Sequence, residues 1–179
     1  MSLKFVPTEL LLSKIHWMSS EDLTEHVINP FIKATLQFNG LLTAALGEAY
    51  GAPVSVTRLR QSEWADAQGS LGLRRDVLLK AGDVPCVAAS TLIPSSVLDA
   101  HPWLANLGDK PLGEALKNHG YFWRGPFEFT RIDADLIFQP APPTTQFVWS
   151  RRFRFALESG ALLVTEIFFP GVLDRLGLM

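Results

Sequence analysis

Three stretches of the chain alternate apolar and polar residues on a period of two. In each, a charge falls on the apolar face. In Leu73–Lys80, LRRDVLLK, one face carries Leu73, Arg75, Val77 and Leu79. In Phe147–Phe155, FVWSRRFRF, one face carries Phe147, Trp149, Arg151, Phe153 and Phe155. In Ala161–Gly171, ALLVTEIFFPG, Leu162, Val164, Glu166 and Phe168 share a face, and Pro170-Gly171 closes the run. Period-two alternation is the mark of a strand with one face on a core. Burying an isolated charge there costs several kcal/mol or more, so each must be paired or functional.

The rest of the pattern supplies the frame. Residues up to about Tyr50 read as helical, with a short apolar stripe at Leu10, Leu11, Leu12 and Ile15. Ser19 with Asp22 fits a capping box, Asn29-Pro30 and Asn39-Gly40 mark breaks, and Gly51 stops the last helical segment, Leu41–Tyr50. Pro53–Arg60 reads as a strand. Leu73–Lys80 and Val84–Ile93 form an antiparallel hairpin about Ala81-Gly82-Asp83. Ser95–Leu107 is helical, then irregular, and Asp109–Lys117 holds a short helix from near Pro111. Phe127–Phe138 reads as one strand, Gln139–Thr145 (QPAPPTT) as an exposed loop, and Phe147–Leu157 as a strand turned by Glu158-Ser159-Gly160 into the next. The expectation is an α+β fold, with about six antiparallel strands flanked by helices. It is a single domain over residues 1–179 with an N-terminal helical segment, 1–50.

Composition narrows the function classes. Hydrophobic residues at 47% and charged residues at 19% suit a globular domain with a sizeable core. A net charge of -2 gives no reason to expect nucleic acid or an anionic membrane surface as partner. Cys86 is the only cysteine, so it reads as a small core side chain within a strand. The N-terminus lacks a secretory pattern, and no run approaches the roughly 18 apolar residues of a spanning helix. The expectation is a cytoplasmic protein, with a monomer favoured. His16, His26, His101 and His119 are scattered without ligand spacing, so no metal is expected; His101 and His119 read as surface residues. Gly-rich phosphate loops, a GxSxG elbow and a Cys–His pairing are missing from the sequence.

The inward charges therefore carry the chemistry. One reading is an internal salt bridge of Arg75 or Arg151 with Glu166. The other is a pocket for a small anion: a guanidinium grips its carboxylate bidentately, and Glu166 accepts a hydrogen bond from its hydroxyl. Two inward cations against one anion lean toward an anionic guest.

At these residues the chain resembles a known family. VSVTRLR, LRRDVLLKAGDVPCVAASTLIP, LGDKPLGEAL, WSRRFRF and LLVTEIFFP, in that order, are similar to segments of the bacterial chorismate pyruvate-lyases. The resemblance runs from about Leu41 to Leu173. It implies an antiparallel sheet flanked by helices, and conversion of chorismate to 4-hydroxybenzoate and pyruvate without metal or organic cofactor, early in ubiquinone synthesis. It also implies roles. Arg75 binds the aromatic carboxylate, although Asp76 follows where the family has glutamate. Glu166 meets the 4-hydroxyl, Leu112 offers a backbone contact, and Leu42, before Thr43, lines the site. On strand parity Arg151 is the cation for the enolpyruvyl carboxylate, or else it pairs with Glu128 or another acid. The N-terminal segment and QPAPPTT depart from the family pattern. The ligand-binding domains of GntR-type regulators resemble the same fold, and no winged-helix domain is expected ahead of it here; the alternative is a non-catalytic binder of a small aromatic or keto acid built on that fold. A lyase making another hydroxybenzoate isomer is a third.

Overall fold

The computed structural model describes residues 4–5, 15–26, 29–66, 68–121, 124–139 and 142–177. Its centre is a six-stranded antiparallel sheet in the order β2-β3-β4-β8-β7-β5. The strands are β2 (Val54–Ala65), β3 (Leu71–Ala81), β4 (Val84–Pro94), β5 (Glu128–Asp133), β7 (Phe147–Leu157) and β8 (Gly160–Phe168). The expected α+β architecture is what the chain adopts. Ladders between β3 and β4 and between β7 and β8 are tight hairpins, and β8 joins the two by pairing with β4. Gly82 sits at φ +57° in the first turn, between Ala81 and Val84, a conformation that a two-residue hairpin turn needs and that glycine adopts without strain.

Three short helices precede the sheet: α1 (Ser20–His26), α2 (Pro30–Leu36) and α3 (Leu42–Tyr50). Ser19 and Asp22 form the expected reciprocal cap, Ser19 N donating to Asp22 Oδ2 at 3.1 Å and Asp22 N to Ser19 Oγ at 3.2 Å. Asn29 does more than interrupt a helix: its Oδ1 accepts from Phe31 N at 2.9 Å and opens α2, with Pro30 at the first helical position. Gly51, left-handed at φ 61°, closes α3. The N-terminal segment is not wholly helical. Lys4–Phe5 form a short strand, β1, which pairs with β6 (Phe138–Gln139) in a separate two-stranded sheet. The stripe at Leu10–Leu12 lies outside the described residues.

Two strand expectations change. β2 continues past Arg60 to Ala65 because Leu59 bulges out, so that pairing with β3 resumes between Arg60 and Asp76. The run Phe127–Phe138 is not one strand: a one-turn helix, α6 (Ala134–Ile137), breaks it after Asp133. The remaining helices are α4 (Ser95–Ala100), followed by a 3-10 turn at Pro102–Asn106, then α5 (Leu112–Asn118) and α7 (Val172–Leu176). His101 is not a plain surface residue, since its ring packs edge-on against Tyr121 at 5.5 Å.

The core is continuous from the sheet to the helices. Val77, Leu79, Val87, Ile93, Phe153, Phe155, Leu162, Val164 and Phe168 are buried on one sheet face, in one cluster with Leu36, Leu42, Leu46, Leu116 and Leu176 of the helices. Each such side chain contributes about 1.5–3 kcal/mol when fully buried. α3 packs across β2 and β3, and α7 against α2 and α3. The opposite face carries two ion pairs. Arg74 Nε lies 2.9 Å from Asp76 Oδ2, and Arg152 Nε 2.8 Å from Glu128 Oε2. Cys86 is buried in β4 at the bulge where Leu79 faces Val87 and Lys80 faces Pro85, as its core reading anticipates.

Candidate active site

The inward charges gather on the helix-covered face. Glu166 lies mid-β8, opposite Ala89 of β4 on one side and Arg151 of β7 on the other. The small Ala89 leaves open space beside the carboxylate. That space is a cavity, partly open to solvent, with about 640 Å³ between its walls when the open solvent at its mouth is included. Arg75 and Glu166 line it with Val77, Leu79, Val164, Phe153 and Phe155 from the sheet. Leu42 and Thr43 enter from the first turn of α3, and Leu112, Gly113 and Leu116 from α5. Arg75, Glu166, Leu42 and Leu112 thus share one cavity, far apart though they are in sequence.

Arg75 is 2% exposed. Its Nη2 donates to Gly108 O at 2.8 Å and to Lys110 O at 2.9 Å, so Lys110 takes part through its backbone. Its Nε is buried with no partner among the described residues. Burial pulls its pKa down, the nearby Arg58 adds to this, and Asp109 opposes it; an arginine stays charged through such shifts. A buried cation with an unused donor beside a cavity is suited to a carboxylate.

Arg151 does not belong to the cavity wall. It is fully buried and donates from Nε to Glu166 Oε2 at 2.6 Å, and from Nη1 to Leu36 O at 3.0 Å and Phe38 O at 2.8 Å. Its guanidinium also lies over the rings of Phe127 and Phe168, at 4.6 and 5.4 Å. The expectation that Arg151 faces the ligand as a second cation is corrected: the register sets it directly opposite Glu166, and two buried opposite charges across a strand pair bond to each other. The alternative pairing with an acid is the one adopted, with Glu166; Glu128 is held by Arg152 instead.

The second cavity-facing cation is Arg124, which the sequence pattern does not reveal. It forms an isolated bridge with Phe155, in line with β5 but before Gly125-Pro126, outside any alternating run. The bridge turns its side chain to the face of Phe153 and Phe155. Its guanidinium stands 5.2 Å from the Phe153 ring centre, and Nη1 donates to Gly40 O at 3.2 Å. Burial lowers its pKa, Glu166 opposes that and Arg151 adds to it. With Glu166 neutralised by Arg151, the cavity presents two guanidiniums, Arg75 and Arg124, among apolar walls. Two guanidiniums among apolar walls have the chemistry to pair with a small anion. Leu112 begins α5, so its N–H has no intrahelical acceptor and is free for a ligand. Among the described residues no three His, Cys, Asp or Glu side chains group as a metal site would need, and no helix is long and apolar enough to cross a membrane.

Comparison with known proteins gives the family. The family model described as chorismate lyase matches residues 11–178. A probable chorismate pyruvate-lyase of Pseudomonas aeruginosa (strain UCBPP-PA14) is 37% identical over 111 residues, 62% of this chain and 61% of that protein. One from Cupriavidus metallidurans is 36% identical over 154 residues, 76% of this chain and 72% of its own length. The chain spans about three-fifths of the length of the Pseudomonas relatives it matches. Among solved structures, PhnF from Mycobacterium smegmatis superposes with a TM-score of 0.53 at 17% identity, covering 76% of this chain and 65% of that one. The ligand-binding domain of a putative GntR-family regulator from Bordetella bronchiseptica gives 0.51 at 9% identity, covering 66% and 84%; at these identities the likeness is one of fold. Matched over nearly its whole length, the chain belongs to the chorismate lyase family.

Proposed function

We propose that the protein is a chorismate pyruvate-lyase, eliminating pyruvate from chorismate to leave 4-hydroxybenzoate, in the step that opens ubiquinone synthesis. The observation that carries this reading is the meeting of Arg75, Glu166, Leu42 and Leu112 around one cavity whose uncompensated charge is positive. Chorismate carries a ring carboxylate, a ring hydroxyl and an enolpyruvyl ether. Arg75 binds the ring carboxylate through its unused Nε edge, assisted by the Leu112 N–H. Glu166, oriented by Arg151, accepts a hydrogen bond from the hydroxyl and serves as base for the C–H on the same carbon. As that proton leaves, its electron pair closes the aromatic ring and the neighbouring C–O bond breaks. The oxygen departs as an enolate, which takes up a proton at its methylene and becomes pyruvate. Aromatisation supplies the driving force, and the protein contributes placement and the exclusion of water. The elimination is redox-neutral, so the reading calls on no cofactor, and on no partner beyond the substrate in a monomeric, cytoplasmic protein.

A second reading is a binder of small aromatic acids without turnover, built on the fold shared with the ligand-binding domain of a putative GntR-family regulator. Incubation with chorismate separates the two. The lyase releases 4-hydroxybenzoate and pyruvate in equal amounts, whereas tight retention of added 4-hydroxybenzoate with no pyruvate formed defeats it. Chromatographic identification of the product excludes or establishes another hydroxybenzoate isomer.

A further inference from the structure

Arg124 has a cavity position and no role in the scheme above. We infer that Arg124 is the binding residue for the second carboxylate of the substrate, the one on the enolpyruvyl side chain, and that it stays with that group as it departs. The inference rests on the reading of the substrate as chorismate.

Charge comes first. Glu166 is cancelled by Arg151 at 2.6 Å, and both Arg75 and Arg124 line the cavity, so the site is matched to two negative charges rather than one. Chorismate has two carboxylates, and its aromatic product has one. Position comes second. Arg75 stands on β3 and Arg124 beyond β7, in line with β5, so four strand spacings, about 19 Å of backbone, lie between their Cα atoms. The two are too far apart at their roots to be one clamp, and long side chains bring them to different parts of the cavity. Arg124 feels the charges of Glu166 and Arg151, while Arg75 feels those of Arg58 and Asp109. Arg124 therefore belongs to the Glu166 side. That is where the side chain must lie, because in chorismate the ether is carried on the carbon next to the hydroxyl. Availability comes third. Among the described residues Arg124 makes one hydrogen bond, from Nη1 to Gly40 O. Its Nη2 lies along the opening turn of α5, where a Cβ on Gly113 would stand 3.8 Å away. Half its fork is free for a carboxylate. When the C–O bond breaks, its electron pair goes to the enolate oxygen, and the guanidinium remains with the fragment that becomes pyruvate.

The test compares a dicarboxylate with a monocarboxylate. Arg124→Gln should lower kcat/KM for chorismate by about 10²-fold while the Kd for 4-hydroxybenzoate, read by calorimetry, stays within about threefold of wild type. Arg124→Lys, which keeps a charge but not the fork, should lose about tenfold on chorismate alone, and stands in should the glutamine variant fail to fold. Pyruvate should bind to the wild-type protein loaded with 4-hydroxybenzoate, and not to loaded Arg124→Gln. Equal weakening of both ligands would assign Arg124 to holding Gly40, and an unchanged kcat/KM would remove it from the site; either overturns the inference. If the wild type binds chorismate without turning it over, the lyase reading fails alone, and the Kd for chorismate in place of kcat/KM still tests Arg124.

Discussion

Arg75 and Arg151 are both guanidiniums on apolar sheet faces, and neighbours decide their different fates. Arg151 has a carboxylate opposite it and is consumed by that pair. Arg75 sits across from Thr91 and has only backbone carbonyls to hold. Arg151→Met should therefore strand the Glu166 carboxylate and destabilise the protein by about 3–5 kcal/mol. Adding Glu166→Gln should return part of that loss, as a double-mutant cycle by urea unfolding would show. Glu166→Gln alone should lower kcat by about 10²-fold or more. Arg75→Met should abolish measurable binding of 4-hydroxybenzoate, and by freeing Gly108 O and Lys110 O should cost about 1–3 kcal/mol of stability. Kinetics unchanged from wild type in both variants would remove Glu166 and Arg75 from the reaction. Strand parity alone placed these three charges on the correct face. It could not tell which cation is spent on Glu166, because that depends on the β7–β8 register, and it could not find Arg124, whose orientation comes from a single bridge.

At the scale of elements, the hairpin β3–β4 was readable from its alternation and its glycine turn. β2 was half hidden, since Gln61, Ser62 and Glu63 have the composition of a loop and hold a strand only through pairing with β3. The break at α6 was hidden as well, because IDADLIF has apolar spacing that serves either state. Gly72 marks a constraint that sequence conveys poorly. A Cβ there would come within 2.3 Å of Ile93 O and 3.1 Å of Trp64. Gly72→Ala should part the end of the hairpin and cost about 1–3 kcal/mol, measurable by thermal unfolding. The contact between the end of α3 and β4 has a pH signature. Burial pushes the Cys86 thiol up, and burial followed by Cys86 pushes the Tyr50 hydroxyl up to about 12. Both groups stay protonated longer when folded, so their contribution is full below the thiol's ordinary value of 9.0 and is lost as pH rises above it. Tm should fall as pH rises from 9 toward about 12, and fall less in Cys86→Ala.

For the whole molecule, the helices before the sheet and α5 after the hairpin are what turn a sheet face into a cavity. Fold class followed from the order of elements. The cavity did not, because it depends on how segments distant in sequence come together over the charged row. The link between α2 and α3 deserves its place in that picture: Arg151 holds the carbonyls of Leu36 and Phe38, and Arg124 that of Gly40. Residues 37–40 point nothing at the ligand, yet the aim of the glutamate and of the second guanidinium is set against their backbone. Amino-acid changes in this small outer corner would be felt at the reaction centre as a change of alignment, so a family could retune its lyase there while leaving every residue that touches substrate as it is.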